Sequence, residues 1–186
     1  SENPGKAYNP LFIYGNSGLG KTHLLNAIRL KIRERHPEYN IVYVKGDDFT
    51  NRLVNSLQNR KMPEFREEFR NVDLFLVDDI QFIAGKEATE EEVFNTFNAL
   101  YSANKQVVLS SDKPPKDLKT LPDRLVTRFS QGMIADIQAP DYETRVAILQ
   151  QKLEEKGVTN IPHFGPLYKF DIIRQLHKGG VLLLDK

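Results

Sequence analysis

The stretch Gly15–His23, GNSGLGKTH, decides how the rest of the chain is read. Gly15, Gly18, Gly20, Lys21 and Thr22 fit the phosphate-loop pattern G-x-x-x-x-G-K-[ST] without a mismatch. In that pattern Gly15, Asn16, Ser17, Gly18, Leu19 and Gly20 turn backbone N–H groups toward phosphates, and the N-terminus of the following helix adds a favourable dipole. Lys21 reaches the outer phosphates, and the Thr22 hydroxyl is a ligand for Mg²⁺. The context suits the motif. An apolar strand, Leu11 to Tyr14, precedes it, and Leu24, Leu25, Ile28 and Ile32 recur at helical spacing after it.

Beyond the loop, short apolar runs alternate with amphipathic stretches, the pattern of a parallel sheet covered by helices. IVYVKG from Ile41 reads as a second strand. It leads into a helix capped by Asp47 or Asp48, with Phe49, Leu53, Val54 and Leu57 on one face and Pro63 ending it. EFREEFRN reads as a short charged helix. Val72 to Asp79, VDLFLVDD, is apolar without alternation, as in a central strand buried on both faces, and is expected beside the first strand. Thr89 and Glu92 have the spacing of a capping box for the helix carrying Phe94, Phe97, Leu100 and Tyr101. QVVLSSD gives a fourth strand ending at Asp112. Pro114 and Pro115 then enforce a loop, LPDRLVTRF a short helix, and MIADI from Met133 a fifth strand. DYETRVAILQQKLEEKG reads as a closing helix stopped by Gly157, and the composition changes after Val158. The expectation is an α/β fold with a five-stranded parallel sheet, a nucleotide-binding core over 1–140, and the start of a helical lid over 141–186 with an atypical tail after 158.

Composition narrows the function classes. The 186 residues and 40% hydrophobic content suit one main globular domain, and a net charge of +1 offers no global attraction to nucleic acid. Any such contact needs a local patch. With no Cys there are no disulfides and no Cys-based zinc sites, and His23, His36, His163 and His177 lack ligand spacing. No apolar run approaches the roughly 18 residues that span a bilayer, and no signal core opens the chain, so a soluble, cytoplasmic protein is expected. A start at Ser1 that enters the first strand so soon suggests a piece of a longer protein.

Asp78 and Asp79 end an apolar strand, which places two carboxylates at the edge of the sheet where α/β proteins bind ligands. One can hold Mg²⁺ and the other can orient or deprotonate an attacking water. Hydrolysing relatives often carry Glu at the second position. The shorter Asp79 therefore predicts slow turnover. Asp112, with Ser110 and Ser111, can sense a γ-phosphate or serve as a turn residue. Arg124 and Arg128 share a helix face, as a solvated basic patch or as a finger completing a neighbour's site. Lys86 reads as a surface lysine and Val54 as core.

With the phosphate loop, LVDDIQF, SSDKPP and DRLVTRF in order, the chain resembles the AAA+ ATPase domain of the bacterial chromosomal replication initiator family, DnaA, over about residues 2 to 158. IQFIAGKE and FNTFNALY carry the specificity of that resemblance, since the loop alone marks only the superfamily. It implies ATP or ADP with Mg²⁺ as ligands, Asp78 and Asp79 as the metal and hydrolysis pair, Asp112 as a first sensor, and Arg128 as the finger that reads ATP on the next subunit. Val54 and Lys86 fall where the family grips single-stranded DNA. The implied function is an ATP-dependent homo-oligomer or filament that engages and melts origin DNA, with slow hydrolysis as a reset. The implied setting is the nucleoid, and the implied further partners are the replicative helicase or its loader.

Three departures stand out. Ala88 replaces a frequent basic residue two positions after Lys86. The tail does not match the family's second-sensor helix, for which Arg174 is the one stand-in. The family's helix-turn-helix domain finds no counterpart in these 186 residues, so origin recognition is not expected of this chain alone. A helicase loader or an initiator-regulating AAA+ ATPase would share much of this pattern. A small-molecule kinase would share only the loop, and no residue set suggests its acceptor pocket.

Overall fold

The computed structural model describes residues 4, 5 and 7–155. The chain divides into two compact units, Ser1–Ala139 and Pro140–Lys186. The first holds a five-stranded parallel sheet built from β1 (Leu11–Tyr14), β2 (Ile41–Lys45), β3 (Leu74–Asp78), β4 (Gln106–Ser111) and β5 (Met133–Asp136). Its helices are α1 (Lys21–Arg35), α2 (Gly46–Gln58), α3 (Met62–Arg70), α4 (Glu87–Ser102) and α5 (Asp123–Phe129). In the second unit, α6 (Tyr142–Glu155) opens with the Asp141 carboxylate accepting the Thr144 N–H at 2.8 Å. Gly157, Val158 and Arg174 lie outside the described residues.

The strand order is β2-β3-β4-β1-β5. β3 therefore does not lie beside β1, as its sequence suggested; β4 stands between them. Parallel strands are joined by long crossovers, and a crossover can pass over a neighbouring position, so order along the chain does not fix order in the sheet. The intervening strand matters for the site, because it carries Ser110 and Ser111 between the phosphate loop and the acidic strand. Leu76 pairs with Val108, and Leu11 pairs with the same Val108 from the other side.

All five residues of β3 are buried, and its side chains alternate between two cores. Leu74 and Leu76 pack with Ile13, Val108 and the α1 residues Leu25 and Ile32. Phe75 and Val77 face the larger cluster, where α2 to α5 contribute Phe49, Leu53, Phe65, Phe69, Phe97, Leu100, Leu125 and Phe129. Phe49 anchors α2 through edge-on contacts with Phe65 at 5.2 Å and Phe69 at 4.9 Å. Such pairs contribute about 0.5–1.5 kcal/mol each beyond burial. That is enough to hold two polar helices against the sheet.

The local signals at three helix ends act differently from their sequence reading. α2 begins at Gly46, so Asp47 and Asp48 occupy its first turn, where they complement the helix dipole instead of capping it. Gly46 is required there by a close approach, since a Cβ would stand 2.7 Å from the Asp79 carbonyl oxygen. Pro63 is the second residue of α3, where its fixed φ suits the first helical turn. α4 begins at Glu87, two residues before the expected capping box. Glu92 is buried and pairs with Arg70 and, at 3.5 Å, with Arg66. The ion pairs with α3 outcompete a local cap because the carboxylate is desolvated and needs full charge compensation.

Candidate nucleotide-binding site

The loop between β1 and α1 folds because Gly20 takes φ 89°, a left-handed conformation that lets the chain turn into the helix directly. No side chain caps the first turn of α1, so its free N–H groups face outward as a place for an anion. Gly15 N–H donates to the Ser111 carbonyl at 3.3 Å, which fixes the base of the loop to the end of β4. Lys21 is only 8% exposed, and its ammonium donates to the carbonyls of Gly15 at 2.7 Å and Asn16 at 3.1 Å. The charge is thus held inside the loop by neutral acceptors that an anionic ligand can outcompete.

Beside the loop is a pocket of about 290 Å³, lined by Ser17, Gly18, Gly20, Lys21, Thr22, His23 and Asp79. Thr22 Oγ1 donates to Asp78 Oδ2 at 2.6 Å, across 56 residues of sequence. The Tyr43 hydroxyl donates to the same oxygen at 2.8 Å, and the Ser110 hydroxyl donates to Asp78 Oδ1. Burial presses the Asp78 carboxyl toward neutrality, but the hydroxyls of Ser110, Thr22 and Tyr43 together outweigh it and hold the group below its ordinary pKa. Asp78 is a carboxylate at neutral pH. Burial, followed by the bond to Asp78, raises the Tyr43 phenol far above its ordinary range, so Tyr43 remains a donor.

A carboxylate and an alcohol oxygen in contact at the edge of a phosphate-loop pocket are hard donors, the type that suits Mg²⁺. Asp79 is the residue through which β3 enters this pocket. It has φ 53° and ψ 56°, its N–H donates to Ser110 Oγ at 2.8 Å, and its Oδ1 accepts from Gln81 Nε2 at 3.2 Å. A left-handed aspartate is uncommon and strained, and here a buried hydroxyl and the Gly46 approach determine it. Asp112 follows β4 at the same edge of the sheet, with the Ser111 hydroxyl 3.5 Å from its Oδ1.

The structure thus brings Lys21, Thr22, Asp78 and Asp79 together, with Asp112 on the adjoining strand end. Arg128, Val54 and Lys86 lie outside the pocket lining. On α5, Arg128 donates to Gln131 Oε1 at 3.2 Å and has no carboxylate partner among the described residues, whereas Arg124 stacks 4.8 Å above Phe94. The shared basic face resolves into one arginine committed to an aromatic ring and one held only by a neutral amide. Val54 is 44% exposed, which corrects its reading as core; Leu57 is exposed too, and Phe49 and Leu53, with Gly46 and Thr50, form the buried side of α2. Lys86 is exposed before α4, its ammonium 2.8 Å from the Phe82 carbonyl. Sequence reasoning missed Tyr43, for which a strand tyrosine gives no signal until the partner strand is known.

The family model for the bacterial DnaA ATPase domain matches residues 1–136. This chain belongs to the bacterial DnaA family. The chromosomal replication initiator protein DnaA of Deinococcus radiodurans is 59% identical over 159 residues, which cover 86% of this chain and 34% of that protein. The chain therefore spans about a third of the length of that curated DnaA relative. A solved replication initiator DnaA bound to AMPPCP and single-stranded DNA superimposes with a TM-score of 0.82 at 40% identity, covering 94% of this chain and 51% of that one. Domain III of DnaA from Thermotoga maritima gives 0.82 at 43% identity, covering 87% and 67%. The fold is that of the DnaA AAA+ domain. No described helix is long and apolar enough to cross a membrane.

Proposed function

We propose that this chain is the nucleotide-dependent switch of a replication initiator, binding ATP and ADP on the loop Gly15–Thr22 and assembling with further copies when ATP is bound. The observation that carries this reading is the contact of Thr22 with Asp78 beside the loop pocket at 2.6 Å, a divalent-cation donor pair in a phosphate cradle. Lys21 leaves the Gly15 and Asn16 carbonyls to meet the outer phosphates, and Thr22 and Asp78 hold Mg²⁺. The ion, when bound, offsets phosphate charge. Asp79 orients the attacking water, and Asp112 senses the γ-phosphate from the end of β4.

The short Asp79 side chain, held by Gln81, supports slow hydrolysis that resets the switch. Arg128 acts in trans on the nucleotide of the next subunit, which its lack of a carboxylate partner among the described residues supports. Val54 and Lys86 contact single-stranded DNA in the assembled form, weakly for the lack of a basic side chain at Ala88. Residues 1–140 form the nucleotide-binding core and α6 begins the lid. The setting is the cytoplasm, on the nucleoid.

The test is sedimentation of the chain with ADP or a non-hydrolysable ATP analogue, with and without single-stranded DNA. Large species that depend on the analogue and grow with the strand support the switch. A monomer in every condition, with nucleotide binding confirmed, rejects assembly for this chain, and Lys21→Ala serves as the variant that loses binding.

A further inference from the structure

Asp78 depends on a residue that no phosphate-loop motif includes. Tyr43 lies on β2, which runs parallel to β3 with Lys45 opposite Asp78. Two residues back along the strand, the Tyr43 ring lies against the core beneath α1, and its hydroxyl reaches Asp78 Oδ2 at 2.8 Å. That oxygen also accepts the Thr22 hydroxyl at 2.6 Å, while Oδ1 is taken by Ser110. The Arg29 guanidinium, two turns along α1 from Thr22, sits 5.7 Å from the centre of the Tyr43 ring. One aromatic side chain therefore joins the helix that carries Thr22 to the strand that carries Asp78.

We propose that Tyr43 is a positioning residue for the divalent-cation site, holding Asp78 Oδ2 where it accepts the Thr22 proton and leaves the Thr22 lone pairs for the ion. The inference rests on the reading of Thr22 and Asp78 as metal-holding residues. Its physical basis is the softness of the aspartate side chain. The terminal torsion of an aspartate is broad and two-fold, so the carboxylate plane is set by its hydrogen-bond partners and not by its own rotamer. Thr22 alone cannot set the carboxylate, because its hydroxyl is shared: the proton goes to Asp78 Oδ2 and the lone pairs are what it offers an ion. Ser110 fixes Oδ1 from the β4 side and leaves Oδ2 free to swing. Tyr43 supplies the second fixed point, from a ring whose position is determined by strand pairing on one side and by α1 on the other. An Oδ2 that accepts from Tyr43 still has a lone pair for the Thr22 proton.

A tyrosine that only filled the core would be replaced by phenylalanine without consequence for the ion. The two roles separate in one experiment with the full chain: Mg²⁺ titration of fluorescent ATP-analogue binding, alongside binding in EDTA and the melting temperature without metal. Loss of one hydrogen bond to a charged group predicts that Tyr43→Phe raises the half-saturating Mg²⁺ concentration about tenfold. Binding in EDTA stays as in the wild type. Half-saturation within twofold of the wild type, in a Tyr43→Phe protein that melts normally, overturns the proposal. If Tyr43→Phe does not fold, Arg29→Gln keeps the hydroxyl but loosens the ring; a shift of about two- to threefold is expected, and no shift overturns it. A wild-type protein whose nucleotide binding ignores Mg²⁺ rejects the metal reading of Thr22 and Asp78 itself, a result distinct from failure of the Tyr43 variant alone.

Discussion

The Ser110 hydroxyl is a bridge between the two acidic residues: it donates to Asp78 Oδ1 and accepts the Asp79 N–H at 2.8 Å. Ser110 is fully buried on β4, so it does not line the pocket, yet it fixes the Asp78 carboxylate and the left-handed turn at Asp79 at once.

Ser110→Ala leaves the Asp79 N–H and one Asp78 oxygen without their partner in a buried place. A loss of about 1–3 kcal/mol is expected for such a deletion. Urea unfolding measures it, and Ser110→Thr, which keeps the hydroxyl, serves as the comparison. A neutral Ser110→Ala would mean that Asp79 holds its turn without the bridge.

Glu92 is the carboxylate that joins α4 to α3 through Arg70 and Arg66. Removing one member of a buried pair costs about 3–5 kcal/mol; both arginines are partly solvated, so Glu92→Ala is expected at the low end of that range. The same change at Glu68, whose pair with Arg52 is exposed on both sides, is expected to cost under about 1 kcal/mol. Chemical denaturation of the two variants checks the contrast, and equal losses would remove the argument from burial.

Asp73 provides the pH dependence. Its carboxylate accepts from Lys105 Nζ at 2.6 Å and from the Asn40 N–H at 2.9 Å, and Lys105, ahead of the opposing effect of burial, lowers its pKa. A lowered folded-state pKa stabilises the protein above the ordinary aspartate value of about 3.9. The contribution is lost as pH falls through the lower, folded-state value. Asp73→Asn is therefore expected to lower the melting temperature at pH 7 and to converge on the wild type near pH 2. A gap that stays constant with pH would contradict this.

The two arginines of α5 are expected to part company. Arg124→Ala loses the cation–π contact with Phe94, worth about 0.5–1 kcal/mol at an exposed site, and leaves ATP-dependent assembly intact. Arg128→Ala leaves stability and nucleotide binding unchanged and abolishes assembly. Thermal melts and sedimentation with the ATP analogue measure both, and normal assembly of Arg128→Ala would reject the finger.

For DNA, Lys86→Ala is expected to weaken single-strand binding and to reduce the slope of log affinity against log salt by about 0.7, the value for one phosphate contact. Binding titrations from low to moderate salt give the slope. An unchanged slope places Lys86 away from the strand.

The phosphate loop, the helix after it, the acidic strand end and the five strands were legible in the chain because each is a contiguous pattern: a motif of fixed spacing, an apolar run or a helical period. Sequence alone also placed the acid pair at the edge of the sheet, since Asp78 and Asp79 close an unbroken apolar strand. What lay beyond it were relations between segments. The position of β4 between β1 and β3, the contact of Tyr43 with Asp78, the bridge at Ser110, the commitment of Glu92 to α3 and the exposure of Val54 all join residues far apart in the chain or depend on which helix face the sheet covers. Parallel strands that are apolar throughout have no preferred neighbour in their own sequence. Only the packing of crossover helices on both faces selects one order, and that order brought three hydroxyls from α1, β2 and β4 onto a single carboxylate.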